Sequence, residues 1–127
     1  MRTDVFLTHN WGDKVNDVYV NHENVAKVNE SLKAKGLLTW FDSDKMEGSI
    51  VQKMQEGIDN CNVVVVFITE LYMKKVNGEG FAKQGDNCLK EFRYAELTKT
   101  NANMIAVVMD EEMCNPGKWK GMLNFVL

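Results

Sequence analysis

Proline, cysteine, long apolar runs and a strong excess of either charge are all scarce in this chain, and each shortage removes a class of protein. One proline in 127 residues leaves no proline-rich linker or polyproline tract. The three cysteines, Cys61, Cys88 and Cys114, are odd in number and lack the C-x-x-C or Cys/His spacing of a metal site. A reduced, cytoplasmic setting is therefore expected, with no metal. No uninterrupted apolar run is longer than that from Val63 to Ile68, which falls far short of the ~20 residues that cross a bilayer, so no membrane association is expected. The opening residues, Met-Arg-Thr-Asp-Val-Phe, lack the apolar stretch and small-residue cleavage site of a secretory signal. With 15 Lys+Arg against 18 Asp+Glu and a net charge of −3, nothing draws the protein to phosphate backbones, and nucleic acid is not an expected partner.

What is present is enough chain for one domain, expected to cover residues 1–127, and at 45% hydrophobic residues it can bury roughly two thirds of its unfolded surface without staples. Short β-rich runs alternate with amphipathic segments, the pattern of an α/β fold with a parallel sheet. Strands are predicted at Asp4–His9, Leu37–Phe41, Asn62–Thr69 and Asn103–Met109, the last two apolar on both faces and so expected to be central. Val25, Val28 and Leu32 make one helical stripe that Gly36 can end, and Ile50, Met54 and Ile58 make another that Ser49 can cap. A short helical turn is expected from Glu70 to Val76, a loop from Asn77 to Asp86, and a helix from about Asn87 to Thr98. Past the break at Cys114-Asn-Pro-Gly117, Met122-Leu-Asn-Phe-Val-Leu127 reads as the approach to a fifth strand that is missing or truncated, which leaves the C-terminal element incomplete.

This element order suggests a flavodoxin-like open parallel sheet of order 2-1-3-4-5, whose working crevice lies at the carboxyl ends of the strands. Absences narrow its occupant. No glycine fingerprint follows the first strand, and the chain contains neither a G-x-x-x-x-G-K-[ST] loop nor a G-x-S-x-G elbow. The acidic pair and third-strand Asp of a phosphorylated response regulator are missing too. Two polar clusters remain. The loop Phe41-Asp-Ser-Asp-Lys-Met-Glu-Gly48 reads either as a solvated turn or as a polar site lined by Asp42, Lys45 and Glu47. In Asp86-Asn-Cys-Leu-Lys-Glu-Phe92, Glu91 falls at the border of the buried helical stripe that holds Cys88 and Ala95, where a carboxylate is partly desolvated. His9 and His22 have no partner at metal spacing. Trp40 and Trp119 read as core or rim aromatics, whereas Trp11 lies just past the first strand, where the crevice opens.

These segments resemble a family. Asp4-Val-Phe-Leu-Thr-His9 resembles the opening box of Toll/interleukin receptor (TIR) domains. Trp40-Phe-Asp-Ser-Asp-Lys-Met-Glu-Gly48 is similar to their second-strand box and BB loop, and Asn87-Cys-Leu-Lys-Glu91 to the W-C-x-x-E segment of NAD-cleaving members. The likeness runs from Asp4 to about Gly121. It implies a flavodoxin-like fold and two activities within the family: NAD hydrolysis to nicotinamide and ADP-ribose or its cyclic isomers, and protein interaction in innate-immune or stress signalling. Read as a hydrolase, the chain has Glu91 as catalytic residue and His9, Asn10, Trp11, Phe41, Asp42, Lys45, Glu47 and Cys88 as the substrate-binding set. NAD is then substrate rather than cofactor, no further cofactor is implied, and other TIR domains are partners through the BB loop, Asp42 to Gly48. Three positions depart from the family pattern: the BB-loop proline has no counterpart, Asn10-Trp11 replaces the arginines found after the first strand in an NAD-cleaving member, and Asn87 replaces the tryptophan of the last box.

Overall fold

Successive residues of an extended strand face opposite ways, so each apolar run of this chain supplies side chains to two layers. The structure is a computed structural model that describes residues 2–12, 14–41, 50–79 and 87–127. In chain order the elements are β1 (Val5–Thr8), β2 (Lys14–Val15), β3 (Val18–Tyr19), α1 (Val20–Ala34), β4 (Thr39–Trp40), α2 (Ile50–Asp59), β5 (Val63–Ile68), α3 (Glu70–Val76), α4 (Asn87–Lys99), β6 (Met104–Val108) and α5 (Gly121–Val126). Single 3-10 turns occur at Asn101–Asn103, Glu112–Cys114 and Pro116–Lys118. Strands β4, β1, β5 and β6 pair in that order, all parallel, with Val5 beside both Thr39 and Val63 and Ile68 beside Val108. This is the expected 2-1-3-4 arrangement of a flavodoxin-like sheet.

The two faces carry separate cores. Phe6, Val64, Val66 and Ile68 join Ile58, Tyr72, Phe92 and Leu123 from α2, α3, α4 and α5. Leu7, Val65 and Phe67 point the other way and meet Val25 of α1. Burying each such side chain contributes roughly 1.5–3 kcal/mol. Gly36 closes the first helical segment at φ +89°, its N–H bonded 2.9 Å from the Lys33 carbonyl, as the sequence reading expects.

Some expectations change. Strand β6 is an end strand of the described sheet rather than a central one, and Ile105 on it is 53% exposed. The segment read as an approach to an edge strand forms α5 instead. Leu123 and Val126, three residues apart, reach the same core while Phe125 stays exposed, which is helical periodicity rather than alternation. An antiparallel β2–β3 hairpin falls where no element was expected; Asn16 and Asp17 turn it at φ 50° and 63°, the left-handed pair a two-residue turn needs. The Ser49 cap and residues 80–86 of the expected loop lie outside the described residues. Among the described residues, no helix is long and apolar enough to cross a membrane.

Candidate functional site

The carboxyl end of β1, beside the point where the chain order of the sheet reverses, is the crevice position of such folds. Thr8 ends the strand on the same face as Phe6, and so meets α3 and α4. Helix α4 buries Cys88, Leu89, Phe92 and Ala95, and on that face it also carries Glu91, only 9% exposed. The hydroxyl of Thr8 donates to Glu91 Oε2 at 2.7 Å, and the Tyr72 hydroxyl lies 2.9 Å from the same Thr8 oxygen. All three groups are buried. Tyr72 is positioned by the cap of α3: Thr69 Oγ1 accepts from its backbone N–H at 3.0 Å.

His9 follows on the opposite face and meets α1. Its Nε2 lies 2.8 Å from His22 Nδ1, and the two rings are within 22° of parallel. Phe41 runs parallel to both, at centroid separations of 5.3 Å from His9 and 5.1 Å from His22. Trp11 covers His22 at 4.1 Å. The result is a four-ring aromatic cluster at the tips of β1 and β4. Burial, and then the neighbouring His22, lower the His9 pKa to about 4 against an opposing hydrogen bond with the Leu7 backbone, so His9 is neutral at pH 7. Asn10, 2% exposed, ties the region together: its Oδ1 accepts from Thr69 Oγ1 at 2.7 Å and its carbonyl accepts from Asn21 Nδ2 at 2.6 Å.

The residues singled out in the sequence thus fall into two groups flanking β1. Glu91 sits with Thr8 and Tyr72 on one side; His9, Trp11 and Phe41 gather around His22 on the other. Cys88 connects them, its thiol 3.5 Å from the His9 carbonyl. Asp42, Lys45 and Glu47 lie outside the described residues. Glu91 also lines a mostly apolar groove of about 300 Å³ between α2 and α4, with Met54, Ile58, Arg93, Tyr94 and Leu97. A larger cavity of about 520 Å³ runs along α1 and residues 37–41 and reaches Phe41 but not Glu91. Trp40 stacks on Phe6, and Trp119 donates to the Met113 carbonyl at 2.9 Å, both structural roles. Among the described residues no group of three His, Cys, Asp or Glu is placed to hold a metal ion.

Three members of this constellation, Thr8, His22 and Tyr72, were not among the site residues expected from the sequence, where His22 reads only as a histidine with no partner at metal spacing. Thr8 carried a readable signal, since the i, i+2 rule puts it on Phe6's face at the strand tip. The partners His22 and Tyr72 carried none, because they come from helices whose rotation about the sheet no local pattern specifies. A fixed carboxylate is suited to stabilising positive charge on a ligand, and the separate ring cluster on the other side of β1 is suited to stacking on a heteroaromatic group. The family model described as TIR domain matches residues 5–126. No curated protein matches the chain.

Proposed function

The chain belongs to the TIR domain family, and from that premise we propose that it cleaves the nicotinamide–ribose bond of NAD, with Glu91 as the catalytic residue and self-association as the activating step. The observation that supports this reading is the carboxylate of Glu91, nearly buried and held on Thr8 at the tip of β1.

Nicotinamide in NAD is a cationic leaving group, so its departure requires no general acid. The N-glycosidic electron pair passes to the ring nitrogen, which becomes neutral, and positive charge grows on the ribose, as in other oxocarbenium-like glycosyl cleavages. A carboxylate fixed beside the sugar lowers the energy of that charge by its field and by hydrogen bonds to ribose hydroxyls that strengthen in the transition state. Water then adds at the anomeric carbon, a proton leaves, and ADP-ribose results; capture by a nucleophile within the same nucleotide yields a cyclic isomer instead. In this reading Trp11 and Phe41 stack on a ring of the nucleotide, Asp42, Lys45 and Glu47 border it from the BB loop, and the reaction takes place in the cytoplasm.

Incubating the purified chain with NAD, with and without a crowding agent, and following nicotinamide release tests the proposal. Release is expected from the native chain and is lost in Glu91→Ala with the fold retained. Absence of release at every protein concentration overturns the reading in favour of an interaction module, the other activity class the family contains.

A further inference from the structure

A glutamate has three side-chain torsions, so a catalytic carboxylate on a helix surface samples many positions unless something outside the helix holds it. Here the holding group is on the sheet. Thr8 is the last residue of β1, its register fixed against Val66 of β5, and its hydroxyl reaches Glu91 across a sequence separation of 83 residues. We propose that Thr8 and Tyr72 are positioning residues for Glu91, forming a one-way hydrogen-bond chain from the Tyr72 hydroxyl through Thr8 to the carboxylate. This rests on the reading of Glu91 as the catalytic group.

The direction of the chain follows from the donors available. An ionised carboxylate only accepts, so the single hydroxyl proton of Thr8 goes to Glu91 Oε2. The Thr8 oxygen, with its proton committed, is then the acceptor for the Tyr72 O–H at 2.9 Å. Tyr72 thereby removes the other choice open to a rotating hydroxyl, which is to donate to the tyrosine oxygen and withdraw this hydrogen bond from the carboxylate. Packing alone does not account for the tyrosine: its ring is fully buried among Phe92 and the apolar side chains of β5, α3 and α4, where phenylalanine would fill the same space and no hydroxyl would have to leave water. The anchor is rigid on both sides, because α3 begins at the Thr69 cap and its Glu70 N–H is bonded 2.8 Å from Asp110 Oδ2, at the end of β6. Strand β1 thus meets the carboxylate directly and α3 supports it from behind, the preorganisation that lets a charged group act without reorganising during the reaction.

The test compares Thr8→Val, Thr8→Ser, Tyr72→Phe and the double variant Thr8→Val/Tyr72→Phe with the native chain, following nicotinamide release from NAD and thermal unfolding together. The double variant removes both hydroxyls of the chain together, so it keeps the experiment informative if Thr8→Val alone unfolds. Loss of a hydrogen bond to a charged group corresponds to roughly ten- to hundredfold in rate; that drop is expected in kcat, with KM nearly unchanged, for Thr8→Val and the double variant. Thr8→Ser, which keeps the hydroxyl, recovers most of the native rate, and Tyr72→Phe loses a few-fold. Native kcat in a folded double variant overturns the positioning role while leaving the NAD reading intact. Equal losses in Thr8→Ser and Thr8→Val, tracking lowered unfolding temperatures, assign the hydroxyl to packing and also overturn it. A native chain that releases no nicotinamide removes the underlying reading, and the positioning role with it.

Discussion

The histidine pair flanking β1 makes a sharp statement about pH. Folded His9 resists protonation until about pH 4, whereas an unfolded histidine takes up its proton near 6.5. Between those values the unfolded chain binds a proton that the folded chain refuses, so stability is full above pH 6.5 and falls as the pH drops toward 4. The loss attributable to His9 is roughly 3 kcal/mol at the acid end. Urea midpoints of the native chain and of His9→Gln, measured from pH 7.5 to 4, are expected to diverge, the variant showing the flatter dependence. Parallel curves sink the assignment. Glu91, on the other side of the strand tip, is similarly enclosed and accepts a hydrogen bond from Thr8.

Helix α2 packs closely against β1 and β4 of the sheet. Gly57 lies where a Cβ atom would come within 2.7 Å of the Phe6 ring and 2.8 Å of the Trp40 ring, and those two rings stack at 6.2 Å. Alanine favours a helix over glycine by ~1 kcal/mol, but overpacking buried Phe6 and half-buried Trp40 costs about 1–3 kcal/mol and outweighs it. Gly57→Ala is expected to lower the unfolding temperature by on the order of 5 °C, read by circular dichroism; an unchanged or higher value refutes the close approach. Helix α5 is held differently. Asn77 at the end of α3 donates to the Lys120 carbonyl at 3.0 Å and accepts from the Met122 N–H at 2.9 Å, and Gly121 turns between them at φ +64°. Asn77→Ala removes both contacts and is expected to cost about 1–2 kcal/mol, visible as early loss of amide protection in α5.

For the protein acting as an assembly, the expectation is a rate per molecule that climbs with concentration. Self-association is part of the proposed activation, and large apolar side chains stand in solvent, Leu97 at 76% and Phe125 at 84% exposure. A net charge of −3 opposes association only weakly at physiological salt, where charges more than about 8 Å apart are largely screened. Nicotinamide release per mole of protein, measured over a hundredfold range of concentration, is expected to rise and then level off. A flat line removes assembly from the mechanism and leaves the chemistry of Glu91 untouched.

Much of this was legible in residue order alone. The alternation of short β-rich runs with amphipathic segments and the continuous apolar run Val63–Ile68 announced a parallel sheet with helices on both faces, since a strand buried on both sides has nowhere to place a polar residue. Spacing also put Glu91 on the border of a buried stripe, because a helix repeats every 3.6 residues whatever it packs against. Asn16-Asp17 carries a turn signal as well, since both residue types tolerate the left-handed backbone they adopt here. What no spacing contained was the meeting of side chains drawn from separate elements: Thr8 with Glu91 and Tyr72, and His9 with His22 and Phe41. Those contacts depend on how each helix is rotated and how far it slides along the sheet, quantities set by the fit of the entire core. The same fit made the last segment a helix, since Leu123 and Val126 reach that core only when three residues complete most of a turn.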